Sequence, residues 1–333
     1  MRIDIHTHFQ CLDFIKHLQG RSNLPQSILD GGTYSIQCAA GLRVPAFPQV
    51  IDIEKKLRSM EDMKIDIAVL SHGIPFGPDV LGGREADDWA MRINDNLARI
   101  IAAYPGKFVG LGSIGFGDRE RSIAEVDRCT KQLGFSGFQV FSNTSSTLLD
   151  APEFLPVLKH VAKLGMAIHL HPAIPLNRIG LSSASLFLAL GFPYDTSLNV
   201  VRLIQSGLFD EAPDLRLIVS HIGGVIPYLS GRMAAYSTPS PLVPAADFPK
   251  HSIDHYLNRL YVDTVCYHIE ALECCHKVMG TNHLLYGTDH PFGSYDIVTE
   301  LVEQLNCSQM DRELIYHGNA EQLLNLRHLA TTV

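Results

Sequence analysis

Eight short apolar runs, each followed by a stretch of helical periodicity, constrain the fold of this 333-residue chain more than any other feature. The runs lie at 2–9, 65–75, 107–116, 135–143, 166–173, 215–224, 260–266 and 283–292. Near-continuous apolar strands alternating with helices predict a parallel sheet covered by helices. Eight such units predict an α/β fold closed as a (β/α)8 TIM barrel. An open doubly wound sheet is the alternative, but no G-x-G-x-x-G follows the first strand to support its dinucleotide-binding form. The spacing predicts helices at 51–64, 84–104, 118–133, 152–164, 197–209, 225–236, 269–279 and 295–305, with extra C-terminal helices at 312–317 and 320–326. Three segments lack periodicity. The long loop after the first strand, 10–50, carries Gly31, Gly32, Gly41, Pro45 and Pro48; 174–194 is irregular, and 237–249 is a polar loop with prolines. Loops that long in a compact domain are usually functional, as lids or substrate walls.

Composition removes several function classes. The net charge is −8 and no basic run appears, which argues against nucleic acid and anionic membranes as partners. No apolar run approaches the ~18 residues of a membrane span. The chain does not open with a basic segment followed by an apolar one, so a cytoplasmic location is expected. The seven cysteines are odd in number, irregularly spaced and without C-x-x-C, a pattern of reduced thiols.

The first strand reads RIDIHTHF. Period-two alternation puts His6 and His8 on one face, toward a metal, and Ile3 and Ile5 on the other, toward the helices. On its own this is an ordinary strand with two polar residues. The ends of the other strands change its meaning, because barrel active sites are built where strands end. The second ends in His72, the fifth in His169 and His171-Pro172, and the sixth in His221-Ile222-Gly223-Gly224. The seventh carries Asp263 and the eighth ends in Asp289-His290-Pro291. Nitrogen and oxygen donors converging from several strands describe a mononuclear divalent metal site, zinc first, with manganese or iron as alternatives.

These residues carry a resemblance. H-x-H on strand one, His-Pro after strand five, His-x-Gly-Gly after strand six and Thr-Asp-His-Pro-Phe after strand eight resemble the amidohydrolase superfamily, and within it the amidohydrolase-2 group. AAYPGKFVGLGSI, LLDAPEFLPVL, IPYLSGR and YVDT extend the similarity along the chain. The resemblance implies that residues 1–333 form a single metal-dependent barrel domain. It implies His6, His8, His171 and Asp289 as metal ligands and His221 as the acid/base residue, with Asp289 assisting proton transfer. Related aromatic-acid decarboxylases often carry Glu in place of the first histidine. His6 therefore points toward the aminocarboxymuconate branch and toward zinc.

The remaining polar residues keep two readings each. His169 lies one pleat below His171 and is a ligand or a hydrogen-bonded core residue. Asp263 orients a ligand or pairs with a barrel charge. His290, adjacent to Asp289, faces away from the metal. An acidic substrate needs cations and walls. Arg43 and Phe47 from the first long loop, and His72, are candidates for the pocket lining. The resemblance adds Arg232 as a carboxylate contact across a homodimer interface. The expected activity is metal-dependent, non-oxidative decarboxylation of an unsaturated or aromatic hydroxy- or amino-carboxylic acid. The alternative on the same scaffold is a hydrolase or hydratase acting on an amide, a lactone or a ring-cleavage product.

Overall fold

The structure, a computed structural model, describes residues 1–73, 75–237, 241 and 249–326. Most of the expected 237–249 loop therefore lies outside the described residues. Eight parallel strands follow one another in chain order: Ile3–Phe9, Ile67–His72, Phe108–Ser113, Gly137–Phe141, Ala167–His171, Arg216–Val219, Leu260–Asp263 and Leu284–Leu285. The ring closes where the segment after Leu285 returns to the first strand. Ile5 N–H donates to Tyr286 O at 3.0 Å, Asp289 N–H to His6 O at 2.7 Å and His8 N–H to His290 O at 3.1 Å. A helix follows each strand: Ile53–Met63, Gly83–Ala103, Arg119–Lys131, Leu155–Lys163, Phe192–Gln205, Ile226–Ala235, Ile269–Met279 and Tyr295–Gln304. The predicted TIM barrel is the observed fold.

Strand alternation divides the core in two. Ile67, Val69, Val109, Leu111, Ala167, Ile218 and Leu285 fill the barrel interior, and Leu323, Leu324 and Leu326 of the C-terminal segment pack against them. The intervening residues, such as Ala68, Leu70, Ile168, Leu170, Leu217 and Val219, pack against the surrounding helices. The closed apolar floor leaves the polar strand ends as the place where a ligand can enter.

Four expectations change. Ile3 and Ile5 belong to the interior cluster and do not face the helices. The pairing of strand one with strand two slips between Asp4 and Thr7, so three steps on the first strand span two on the second. Such a bulge changes the facing of the strand beyond it, and Ile3, Ile5, His6 and His8 all turn inward. Second, the 10–50 segment is not a structureless loop. It holds a short helix, Leu12–His17, and an antiparallel sheet of Gln26–Asp30, Thr33–Ala39 and Leu42–Pro45. Asp30 pairs with Thr33 across Gly31 and Gly32, both at positive φ (53° and 81°). That is two-residue hairpin chemistry, in which glycine avoids the left-handed penalty. Third, helix begins at Ala184 and passes through a π-type turn at Phe187–Gly191 before the main helix from Phe192. Pro193 follows directly on that turn, and its missing N–H leaves a gap in the hydrogen-bond ladder where the π-type turn passes into the main helix. Fourth, the sixth strand stops at Val219, and the chain turns sharply at His221 and Ile222.

Candidate metal centre

The four residues expected as metal ligands meet inside the barrel mouth. His8 Nε2 lies 3.1 Å from Asp289 Oδ1, and His6 Nε2 lies 3.4 Å from the same oxygen. The His171 ring is 5.2 Å from His6 and 5.0 Å from His8, edge to face. His221 joins them, with Nε2 3.7 Å from Asp289 Oδ2. One donor atom each from His6, His171, His221 and Asp289 falls within 4.8 Å of the others. This set contains His221 in addition to the expected ligands, while His8 reaches it through Asp289.

Hydrogen bonds decide which nitrogen of each ring is free. His6 Nδ1 donates to Asp263 Oδ2 at 2.6 Å. His8 Nδ1 faces Ser71 Oγ at 3.3 Å, and His171 Nδ1 donates to Pro172 O at 2.9 Å. In His6 and His171 this leaves Nε2 free of the backbone and of Asp263, while His8 Nε2 faces Asp289 Oδ1. His6 Nε2 is buried without any hydrogen-bond partner. An orphaned imidazole nitrogen facing a carboxylate and two other rings fits a divalent cation, and the donor set is that of zinc or manganese.

The electrostatics favour the ligating states of His8, His171 and Asp289. Burial pushes His8 down to about 4 against the pull of Asp289. Burial likewise holds His171 well below the ordinary imidazole range. Neutral imidazole is the form that binds metal. For Asp289, burial works to raise the carboxyl, but His6, His221 and His8 outweigh it and keep the group well below the usual carboxylate range. For His6, burial lowers the value, yet Asp289 and Asp263 overcome it and the net shift is upward.

Asp263 is the main orienting group. Its Oδ2 accepts from His6 Nδ1 and from His221 N–H at 2.9 Å; its Oδ1 accepts from Ile222 N–H at 2.9 Å and Val265 N–H at 3.0 Å. His221 and Ile222 adopt left-handed backbone, at φ 57° and 51°, which costs an L-residue about 1–2 kcal/mol each. Asp263 therefore holds a strained corner that turns His221 toward the mouth. Gly287 leaves room for this arrangement, since a Cβ there would meet His6 Cβ at 2.9 Å and Asp263 Cβ at 3.1 Å. Asp289 is itself left-handed, at φ 58°.

Of the substrate candidates, Arg43 and Phe47 line a cavity of about 320 Å³ over the centre, with His171, His221, Asp289, Leu188 and Phe292. The hairpin sheet in the first long insertion delivers them. Phe47 and Phe292 meet edge to face at 5.3 Å, and Arg43 Nε donates to Ser35 Oγ at 2.7 Å. The structure does not bring His72 to that lining. Ile67, Val69 and Ser71 face inward, so His72 faces outward and packs against Phe9 and Phe14. Burial drives its imidazole down to about 3. Arg232 is exposed and lies over the Tyr236 ring at 5.0 Å, away from the lining of this chain's own cavity. His169 sits below the centre, its Nε2 3.0 Å from Ser220 Oγ, and burial keeps it well below the ordinary imidazole range. His290 faces away from the centre, its Nδ1 3.0 Å from the buried Lys56 ammonium.

Two groups escaped the sequence reading. Asp4 is buried and accepts from Thr288 Oγ1 at 2.6 Å, Thr288 N–H at 3.0 Å and His6 N–H at 3.1 Å. Lys56 is buried behind the first strand and donates to Thr7 Oγ1 at 2.7 Å. The Lys56 signal was present, because Ile53, Lys56, Met60 and Met63 share one face of their helix. All seven cysteines are unpaired, and five of them are buried.

Comparison with known proteins agrees with this geometry. The chain is 29% identical to a 2-amino-3-carboxymuconate-6-semialdehyde decarboxylase of Dictyostelium discoideum, over 98% of this chain and 92% of that protein. It is 30% identical to a gamma-resorcylate decarboxylase of Polaromonas sp. strain JS666, over 84% of this chain and 89% of the relative. The crystal structure of a dihydroxybenzoic acid decarboxylase from Polaromonas sp. JS666, with bound manganese and the inhibitor 2-nitroresorcinol, superposes with a TM-score of 0.80 at 25% identity, covering 98% of this chain and 97% of that one. The amidohydrolase model Amidohydro_2 matches residues 3–326, and the chain belongs to that amidohydrolase family.

Proposed function

We propose that this chain is a metal-dependent, non-oxidative decarboxylase of a small aromatic or unsaturated hydroxy- or amino-carboxylic acid. The observation that carries the reading is the cavity itself. A ring-sized apolar slot, with Arg43 in its wall, ends on a cluster of histidines around Asp289. His6, His8, His171 and Asp289 would hold the ion, with zinc as the first candidate and manganese, found in the Polaromonas relative, as the second. A divalent ion bound there supplies Lewis-acid polarisation of a substrate oxygen.

The chain's own residues do the rest. Phe47 and Phe292 confine a planar ring, and Arg43 has its Nη donors available for a carboxylate. His221, aimed into the mouth by Asp263, delivers a proton to the carbon bearing the carboxylate. The bond from that carbon to the carboxylate then breaks, its electron pair returns to the ring or double bond, and CO2 leaves. Asp289, 3.7 Å from His221 Nε2, stabilises the protonated imidazole and assists the proton's movement.

The assembly and location belong to the same proposal. The chain acts as a single barrel unit and as a homodimer. Exposed Leu190, Tyr194 and Leu198 recur every fourth residue along one helix, and exposed Tyr228 precedes Arg232 by one turn on the helix after strand six. A second copy covering these faces would give Arg232 the partner site it lacks on its own chain. The unpaired cysteines support a cytoplasmic location, and among the described residues no helix is long and apolar enough to cross a membrane.

The test is CO2 release by metal-loaded protein from a panel of hydroxybenzoates, aminobenzoates and muconate semialdehydes. Ring opening or water addition without CO2 would replace the decarboxylase reading with the hydrolase or hydratase one.

A further inference from the structure

We infer that Lys56 is a positioning residue for the metal centre: it locks the closing seam of the barrel and so sets Asp289 against His6 and His8. The inference rests on the metal reading given above.

The centre straddles that seam. His6 and His8 stand on the first strand and Asp289 on the segment that closes the ring, and the seam has few backbone ties. The last strand pairs with the seventh over Leu284–Leu285, and across the seam itself three backbone hydrogen bonds, from Ile5 to Tyr286, Asp289 to His6 and His8 to His290, and the bridge between Thr7 and His290 replace a regular ladder. Asp289 sits between the flanking residues Thr288 and His290 in a left-handed conformation, which breaks the extended pattern of the closing segment at the ligand itself. Something other than a continuous ladder must hold it there.

Side chains supply the hold on both flanks. Below Asp289, Asp4 of the first strand accepts from the Thr288 hydroxyl and N–H. Above it, Lys56 Nζ donates to Thr7 Oγ1 at 2.7 Å, to His290 Nδ1 at 3.0 Å and, more weakly, to His290 O at 3.4 Å. Thr7 Oγ1–H in turn donates to His290 O at 3.1 Å. One ammonium therefore bonds both strands of the seam at the residues that flank the ligands: Thr7 lies between His6 and His8, and His290 follows Asp289. All three of its hydrogens find acceptors, and the side chain is completely buried.

Burying an ammonium is costly, and an apolar side chain of the same length would fill the space more cheaply. Lys56 lies outside the barrel wall, so it touches neither the cavity lining nor the donor atoms of the cluster. What it offers that methionine could not is a directional three-point tie. Direct hydrogen-bond partners of metal ligands change metal affinity by about 10–100-fold when removed, which sets the scale for a tie placed one residue from His6, His8 and Asp289.

The test uses the full-length protein and two substitutions, Lys56→Met and Thr7→Val. Thr7→Val removes the hydroxyl at the centre of the tie and keeps the β-branched shape, so it reports on the seam even if Lys56→Met does not fold. Zinc affinity of the apo-proteins is measured by competition with a chromophoric chelator, and cobalt-substituted samples are read by their d–d spectrum. The expected result is a 10–100-fold loss of zinc affinity in each single variant, a shifted cobalt spectrum, and a double variant no worse than the poorer single one. Wild-type zinc affinity and cobalt spectrum in both folded variants, with only the melting temperature lowered, would overturn the role of Lys56 and leave the metal reading intact. Failure of the wild-type protein itself to bind zinc, manganese or cobalt would instead overturn the metal reading on which the inference stands.

Discussion

Replacing Asp263 with asparagine tests how the centre is aimed. Asp263 is completely buried and accepts four hydrogen bonds, two on each oxygen: His6 Nδ1 and His221 N–H on one, Ile222 N–H and Val265 N–H on the other. An asparagine of the same shape keeps one acceptor oxygen and presents an NH2 where the other stood. Whichever way the amide turns, two of the four donors face a donor. A buried donor left unsatisfied costs about 1–3 kcal/mol, so the two together cost roughly 2–6 kcal/mol. Part of this is recovered if the corner at His221 and Ile222 relaxes, since each left-handed residue stores about 1–2 kcal/mol. The expected net loss is therefore about 2–4 kcal/mol of stability by urea denaturation of the apo-protein. Relaxation would turn His221 away from Asp289, and loss of the Nδ1 tie would free the His6 ring. Metal affinity then falls about 10–100-fold, and kcat at saturating metal falls as well. A variant within about 0.5 kcal/mol of wild-type stability, the scatter of an ordinary surface substitution, with unchanged metal affinity, would refute Asp263 as the orienting group.

Other substitutions probe separate parts of the same scheme. His221→Asn should lower kcat by about 10²–10⁴-fold while substrate affinity changes far less, as removal of a general acid does; steady-state kinetics at saturating metal decide it, and full turnover would remove the proton-transfer role. Arg43→Ala should raise KM about tenfold for a carboxylate substrate and leave binding of its decarboxylated product unaffected, measured by product inhibition. Asp79 is buried, and burial raises its carboxyl to about 7, against an ordinary 3.8, with the bond from Gly77 N–H opposing. The folded state thus holds this proton more tightly than the unfolded chain does. Its contribution to stability is complete below about pH 4 and is lost as pH rises toward and through about 7. Asp79→Asn should therefore gain stability relative to wild type between pH 5 and pH 8, by up to about 3 kcal/mol at 1.36 kcal/mol per pH unit. A pH-independent difference in urea denaturation would show that Asp79 does not titrate as its burial requires.

The barrel and the convergence of its polar strand ends were legible in the sequence for one reason. In a parallel barrel, the ends of consecutive strands meet at one rim, so polar residues at the ends of apolar runs converge regardless of what joins them. His6, His8, His171, His221 and Asp289 all obeyed that rule. The errors came from local backbone events that periodicity does not record. A one-residue slip in the first strand turned Ile3 and Ile5 inward beside the histidines. Strict alternation on the second strand sent His72 outward, although it too ends a strand. Gly31 and Gly32 marked a hairpin, and reading them as a loop hid the sheet that carries Arg43 and leads into Phe47.

Those events are also what make the centre workable. Two histidines two residues apart on a straight strand would face the metal only by giving up the apolar floor beneath them, because a single face cannot switch from isoleucine at 3 and 5 to histidine at 6 and 8. The slip after Asp4 resolves the conflict. It lets the first strand contribute to the dry interior below and to the polar mouth above, and it frees Asp4 to accept His6 N–H and reach across to Thr288. The left-handed turns at His221 and Asp289 do the same work on the opposite wall, each lifting a side chain out of the strand pattern and into the mouth. Each departure from regular geometry is met by a buried charge with its hydrogen bonds filled: Asp4 at the slip, Asp263 at His221, Lys56 beside Asp289. The polar residues outside the ligand set are thus the means by which an irregular backbone is held in one conformation, so loss of any of the three should appear first as weaker metal binding rather than as an unfolded chain.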